Sequence, residues 1–259
     1  MRIGAYQFSV IGNVNYNMET IKKAIVLAAD NGVRLLIFPE CSLTGYPPIS
    51  IQSCENIDLT HVEQCFYELQ KLSIEYDMFI IIGSITMDNG KYYNSAMIFS
   101  PDGCKITPYH KRALWGWDRE NFTIGNNMGI LKIDEFKVGI RICFEVRFPE
   151  YFRELYKSDT DFNIVIFYDV SNNDDIERYE LIKLHLQTRA VEKVSTIVSV
   201  NTIKPYQTAP TSVFDRSGKV KIELERNIES LLVYDFESSE MNFGEQGRKI
   251  ISDNLIKKN

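Results

Sequence analysis

The stretch GIRICFEVRFPE, residues 139–150, decides how the chain is read. Val138 to Ile142 has the character of a buried strand. It ends on a thiol, Cys143, with Glu145, Arg147 and Glu150 crowded behind it. Pro149 to Lys157 then reads as a short helix. A strand that runs into a reactive residue and then a helix is a familiar way of building a site in an α/β fold, because sites assemble at strand ends.

Working outward, the pattern of strand and helix occurs twice. RIGAYQF (2–8), VRLLIF (33–38) and MFIIIG (78–83) read as strands, the last two apolar enough to be covered on both faces. Between them, apolar residues at Ile21, Ala24, Ile25 and Ala28 have helical spacing, with Asn17 as the expected cap and Asn31-Gly32 as the stop. A second helix to about Tyr76 is expected to open on a capping box of Thr60 and Glu63. YYNSAMIFS and CKITPY flank a Pro101-Asp102-Gly103 turn and predict a hairpin. Past an irregular stretch (112–128) that carries Trp115 and Trp117, the order returns. GILKI and KVGIRIC, FNIVIFY (162–168), a long helix over Ile176 to Lys193, TIVSVN (196–201), a hairpin over 211–224 and SLLVYDF (230–236) follow. This predicts one α/β domain over 1–236 with an internal pseudo-repeat. Its two sheets pack together with helices outside, and a polar, weakly patterned tail covers 237–259.

Bulk composition is that of a soluble globular protein, with 44% hydrophobic and 25% charged residues. The formal net charge of -6 and the lack of a basic tract argue against nucleic acid as a partner. The longest apolar run is far short of the roughly 18–20 residues of a membrane span. Five cysteines (41, 54, 65, 104 and 143), an odd number with no CxxC pair, suggest neither a disulfide framework nor a zinc site. With no leader-like segment before the first strand, the expectation is a reduced, cytoplasmic protein. Each cysteine taken alone reads as a small buried hydrophobe.

Three strand ends carry chemistry. LIFPE places Glu40 just past one buried strand, ITPYHK places Lys111 past another, and GIRIC places Cys143 at the end of a third. A free thiol, with pKa near 8.5, is only slightly ionised at neutral pH, so a nucleophilic cysteine needs activation. A carboxylate at Glu40 can take its proton. An ammonium at Lys111 can stabilise the oxyanion of a tetrahedral intermediate. Neither a metal nor an organic cofactor is required.

These segments make the chain recognisable. FPE with TGY (38–46), YHKRAL (109–114) and GIRICFEVRFPE resemble the nitrilase (carbon–nitrogen hydrolase) superfamily, within it the amidase and omega-amidase-like branches. Gln7, TRAVE (188–192) and TSVFDRSGKV (211–220) are weaker matches. The resemblance implies a four-layer αββα sandwich that pairs into a homodimer, with the tail at the interface. It also implies Glu40, Lys111 and Cys143 as base, oxyanion-stabilising cation and nucleophile, and hydrolysis of a small non-peptide amide. A nitrile or N-carbamoyl substrate, acyl transfer, and a binding protein that kept the fold are the alternatives. Backbone amides from Phe144 onward are expected to help hold the oxyanion, and Glu145 and Glu150 to fix the turn by hydrogen bonds. Arg147 has two readings: a structural ion pair with Glu145 or Glu150, which is preferred, or a grip on a substrate carboxylate.

The family pattern breaks in places. A second glutamate is usual seven residues before a glycine; counting back from Gly125 gives Asp118, with Glu120 as the alternative. Ala113 stands where a histidine is common. After FYD (167–169) the chain reads VSNNDDIERYE, with Tyr179 as a candidate for a usual tryptophan. His61, His110 and His185 are weak candidates for a Cys–His pair, and Cys41 reads as packing. Trp115 and Trp117 either line the entrance or cover apolar loop surface.

Overall fold

The apolar runs settle into two six-stranded sheets in a computed structural model that describes residues 1–257. The first half of the chain supplies β1 (Arg2–Gln7), α1 (Val14–Asp30), β2 (Leu35–Ile37), α2 (Leu59–Glu75), β3 (Phe79–Asp88), β4 (Lys91–Phe99), β5 (Tyr109–His110) and the short α3 (Asp118–Asn121). The second half starts with β6 (Ile130–Ile133), β7 (Phe136–Ile142), α4 (Pro149–Lys157), β8 (Phe162–Phe167) and β9 (Val170–Ser171). It continues with α5 (Ile176–Lys193), β10 (Thr196–Asn201), β11 (Tyr206–Gln207), β12 (Ser212–Phe214), β13 (Val220–Glu223), β14 (Ser230–Asp235) and α6 (Phe243–Ser252).

The sheet orders are β14-β1-β2-β3-β4-β5 and β13-β12-β10-β8-β7-β6. Each has three parallel strands at its centre, β1, β2 and β3 in one and β7, β8 and β10 in the other, with an antiparallel strand on either side. The pseudo-repeat is therefore visible strand for strand. Side chains alternate across each strand, and this sorts the core into layers. Ile81, Ile164 and Ile166 face the layer between the sheets. Ile80 and Ile82 turn outward to α1 and α2, packing with Ile21, Ile25, Phe66 and Leu69. Val165 and Phe167 turn outward to α4 and α5, against Phe152, Leu155, Ile182 and Leu186. Each such side chain contributes about 1.5–3 kcal/mol by burial. The result is the αββα sandwich, with strands apolar on both faces because both faces are covered.

Several local expectations are corrected. The α1 cap is Asn13, whose side chain accepts from Tyr16 N; Asn17 lies buried inside the helix and donates to Ile11 O and Leu43 O. The α2 cap is Asp58, accepting from His61 N, and not a Thr60–Glu63 box. The longest hairpin is β3–β4, turning at Asn89-Gly90. The hairpin expected across Pro101–Gly103 is reduced to a bridge from Phe99 to Lys105 and two β4–β5 pairs. The tail is patterned after all: Asn242 and Glu245 form a reciprocal cap that starts α6. Residues 258–259 of the tail lie outside the described residues. Among the described residues no helix is long and apolar enough to cross a membrane.

Candidate active site

Glu40 sits where the chain leaves the first sheet. Three residues beyond β2, its amide donates to Phe167 O at the end of β8, which ties the loop to the second sheet. Gly83 on β3 makes this approach possible: a Cβ there would lie 2.3 Å from both Cys41 N and Pro39 O. The Glu40 side chain is fully buried. Its Oε1 accepts from Asn94 Nδ2 at 2.7 Å and from Lys111 Nζ at 2.8 Å, and its Oε2 accepts from Tyr168 N at 2.8 Å.

Lys111 follows β5 directly. Its backbone is pinned on both sides, donating to Asn94 O at 2.8 Å and accepting from Gly125 N at 3.0 Å. Gly125 permits this contact, since a Cβ there would meet His110 O at 2.1 Å. The buried ammonium bridges Glu40 and Asp118 Oδ2, each at 2.8 Å. Asp118 Oδ1 accepts from Tyr46 OH at 2.6 Å. Glu120, two residues on, is exposed, so the shorter acid is the one that reaches Lys111. Desolvation alone would lower the Lys111 pKa. Glu40, Cys143 and Asp118 outweigh it and hold the ammonium well above its ordinary range.

Cys143 stands one residue past β7 with φ +48°, a left-handed conformation that costs a non-glycine residue about 1–3 kcal/mol. It opens a 3-10 turn over Cys143–Arg147. Glu145 explains why this turn holds. Its buried carboxylate accepts from Ile142 N at 2.7 Å on Oε2, and from Tyr109 OH at 2.7 Å and Arg112 N at 2.6 Å on Oε1. One side chain thus braces the residue before Cys143 and the residue after Lys111. Burial, reinforced by Glu40, pushes the Cys143 thiol well above its ordinary pKa, with Lys111 opposing. Cys143, Lys111 and Asp118 all line one cavity of about 580 Å³, with Phe144 and Arg147 in its wall. Glu40 reaches it from behind, through Lys111.

The chain is similar to known proteins over most of its length. A family model described as carbon-nitrogen hydrolase matches residues 2–241. The chain belongs to the carbon-nitrogen hydrolase family. It is 26% identical over 193 residues to an (R)-stereoselective amidase of Pseudomonas sp., covering 74% of this chain and 67% of that protein. It is 28% identical over 160 residues to omega-amidase NIT2 of Xenopus tropicalis, covering 58% of this chain and 56% of that one. The chain thus spans little more than half the length of the omega-amidase. Among solved structures, a variant of the amidase from Nesterenkonia sp. AN1 has a similar fold. The TM-score is 0.80 at 21% identity, over 91% of this chain and 90% of that one. That structure carries the acetamide moiety of fluoroacetamide covalently added at its active-site cysteine.

Set within the carbon-nitrogen hydrolase family, the remaining expectations sort clearly. Arg147 forms no salt bridge among the described residues; its guanidinium lies over the Phe144 ring at 5.7 Å, so the expected pair with Glu145 or Glu150 is absent. Glu150 is exposed in the first turn of α4 and does not hold the Cys143 turn. Trp115 and Trp117 both line the cavity. None of the three histidines does: His110 is turned to Ser95 and stacked on Tyr93. Tyr179 is buried against Glu223 and Arg226, away from the cavity, where its neighbours Arg178 and Ile182 appear instead. Cys41 is packed in the outer core. Sequence reasoning missed Asn94, which has no motif, and the cavity pair Asp169–Arg178. It quoted Tyr46 only as part of TGY.

Proposed function

We propose that this chain hydrolyses the C–N bond of a small non-peptide amide through a thioester on Cys143. The observation that carries the reading is the buried chain Glu40–Lys111–Asp118, which opens on the same cavity as the thiol. Burial and the Glu40 charge keep the resting thiol protonated, so proton loss accompanies attack. Glu40 Oε2 accepts one hydrogen bond, from Tyr168 N, and retains a lone pair for that proton. Base assistance of this kind contributes about 10²–10⁴-fold.

As sulfur bonds to the carbonyl carbon, the oxygen becomes an oxyanion. Lys111 donates two of its three N–H bonds to Glu40 and Asp118, leaving the third for that oxygen. The Phe144 N–H, at the start of its turn where no intrahelical acceptor exists, is a second donor. Collapse breaks the C–N bond, and Glu40 passes its proton to the departing ammonia or amine. Glu40 then takes a proton from water as the water oxygen attacks the thioester. The acid leaves, and the proton returns to sulfur. Arg147, in the cavity wall with no ion-pair partner among the described residues, binds an acidic group of the substrate. The implied homodimer is supported by Leu181 and Leu184, exposed on α5; a monomeric mass by light scattering would contradict it.

The test is release of ammonia from a panel of small amides. Activity is expected to vanish in Cys143→Ala, and full activity in that variant would reject the assignment.

A further inference from the structure

Arg178 is a third cation of the cavity wall, after Lys111 and Arg147, and no motif announces it. It lies in the first turn of α5, in the segment where the chain departs from the family pattern. Its Nε donates to Asp169 Oδ1 at 2.8 Å and its Nη2 to Asp169 Oδ2 at 3.0 Å. Asp169 is itself fixed: it is 6% exposed and accepts the Thr208 hydroxyl. Its amide donates to Asn201 Oδ1, and its carbonyl accepts from Asn201 Nδ2 and Thr208 N. The arginine is different, with 44% of its side chain exposed and Nη1 without an acceptor among the described residues. A guanidinium held by one edge keeps its other edge for a ligand, and it loses little freedom when it binds.

The rest of the wall indicates what that ligand is. Asp169, Arg178 and Arg147 line the same cavity as Cys143 and Lys111, with Trp115, Phe144 and Phe148 between. Asp169 has both oxygens engaged by Arg178, so the pair offers N–H donors and no free carboxylate edge. Arg147 adds a second guanidinium, one with no ion-pair partner among the described residues. We infer that Arg178, oriented by Asp169, is a specificity residue for the acidic end of an amide that carries a carboxylate at the opposite end of a short apolar chain. This inference deepens the proposed function and rests on it for the amide.

The test is binding in a Cys143→Ala background, so that no turnover is needed. Calorimetry compares glutaramic acid, the monoamide of a five-carbon diacid, with pentanamide, its uncharged match in chain length. Glutaramic acid is expected to bind more tightly. Arg178→Gln should weaken it about 10- to 100-fold, the effect of one charge-assisted hydrogen bond, and leave pentanamide unchanged. The double variant Asp169→Asn with Arg178→Gln removes the stranded carboxylate, and should show the same selective loss with a melting temperature close to wild type. The inference is overturned if glutaramic acid binds no better than pentanamide, or if the variants weaken both amides alike or neither. Acid-selective binding without ammonia release by the wild type would sink the hydrolytic reading and leave Arg178 in its role.

Discussion

Replacing Glu145 by glutamine tests how the site is held together. The carboxylate receives Tyr109 OH and Arg112 N on one oxygen and Ile142 N on the other, and the group is fully buried. Glutamine keeps the volume but has a single acceptor oxygen. Turned to serve Tyr109 and Arg112, it points an NH2 at the Ile142 N–H, and two donors face each other. An unsatisfied buried donor costs about 1–3 kcal/mol, and the lost charge assistance adds to this. We expect a destabilisation of about 2–4 kcal/mol, which for a domain of this size lowers Tm by roughly 5–15 °C. Ile142 and Arg112 adjoin Cys143 and Lys111, so kcat should fall while KM changes little. Scanning calorimetry and steady-state kinetics on the same preparations read both effects. A variant that melts with the wild type and keeps its kcat would refute the idea that this carboxylate braces the site.

Other outcomes follow from the same geometry. Glu40→Gln removes the charge that helps raise the Cys143 pKa, so the pH midpoint of iodoacetamide labelling should move down. Amide hydrolysis should meanwhile fall by about 10²–10⁴-fold; an upward shift of the midpoint would contradict the electrostatics. Lys111→Met leaves two buried carboxylates without their shared cation. It should cost about 3–5 kcal/mol in urea unfolding and about 10²–10³-fold in kcat. Gly83→Ala forces a Cβ to within 2.3 Å of the Pro39 and Cys41 backbone. Activity should drop although no reacting group is touched, and wild-type kinetics would show that the loop yields freely.

How much of this was legible in the sequence depended on how local each signal was. The bounds of α4, α5 and β10 coincide with their expected ranges, because a proline start or an apolar run fixes them within a few residues. Glu40, Lys111 and Cys143 could be singled out because each follows an expected strand and because the motifs around them resemble those of the nitrilase superfamily. The helix caps were not readable in the same way. Asn17 and Asn13 are the same residue type four positions apart, and only the tertiary contact of Asn17 with Leu43 O decides which one caps. The hairpin at Asn89-Gly90 left a signal that the Pro101–Gly103 turn overshadowed. Glu145 answers to partners at Tyr109 and Arg112, and Asp169 to Thr208 and Asn201, more than thirty residues away. The two acids therefore look alike in the sequence and differ only in the folded chain.

The most direct test of the central claim is intact-mass spectrometry of the protein quenched during turnover of a small amide, followed by peptide mapping. We predict a single acyl adduct, located on Cys143, that disappears as the amide is exhausted. Turnover with an unmodified Cys143 at every time point, or an adduct on another cysteine, would contradict the account.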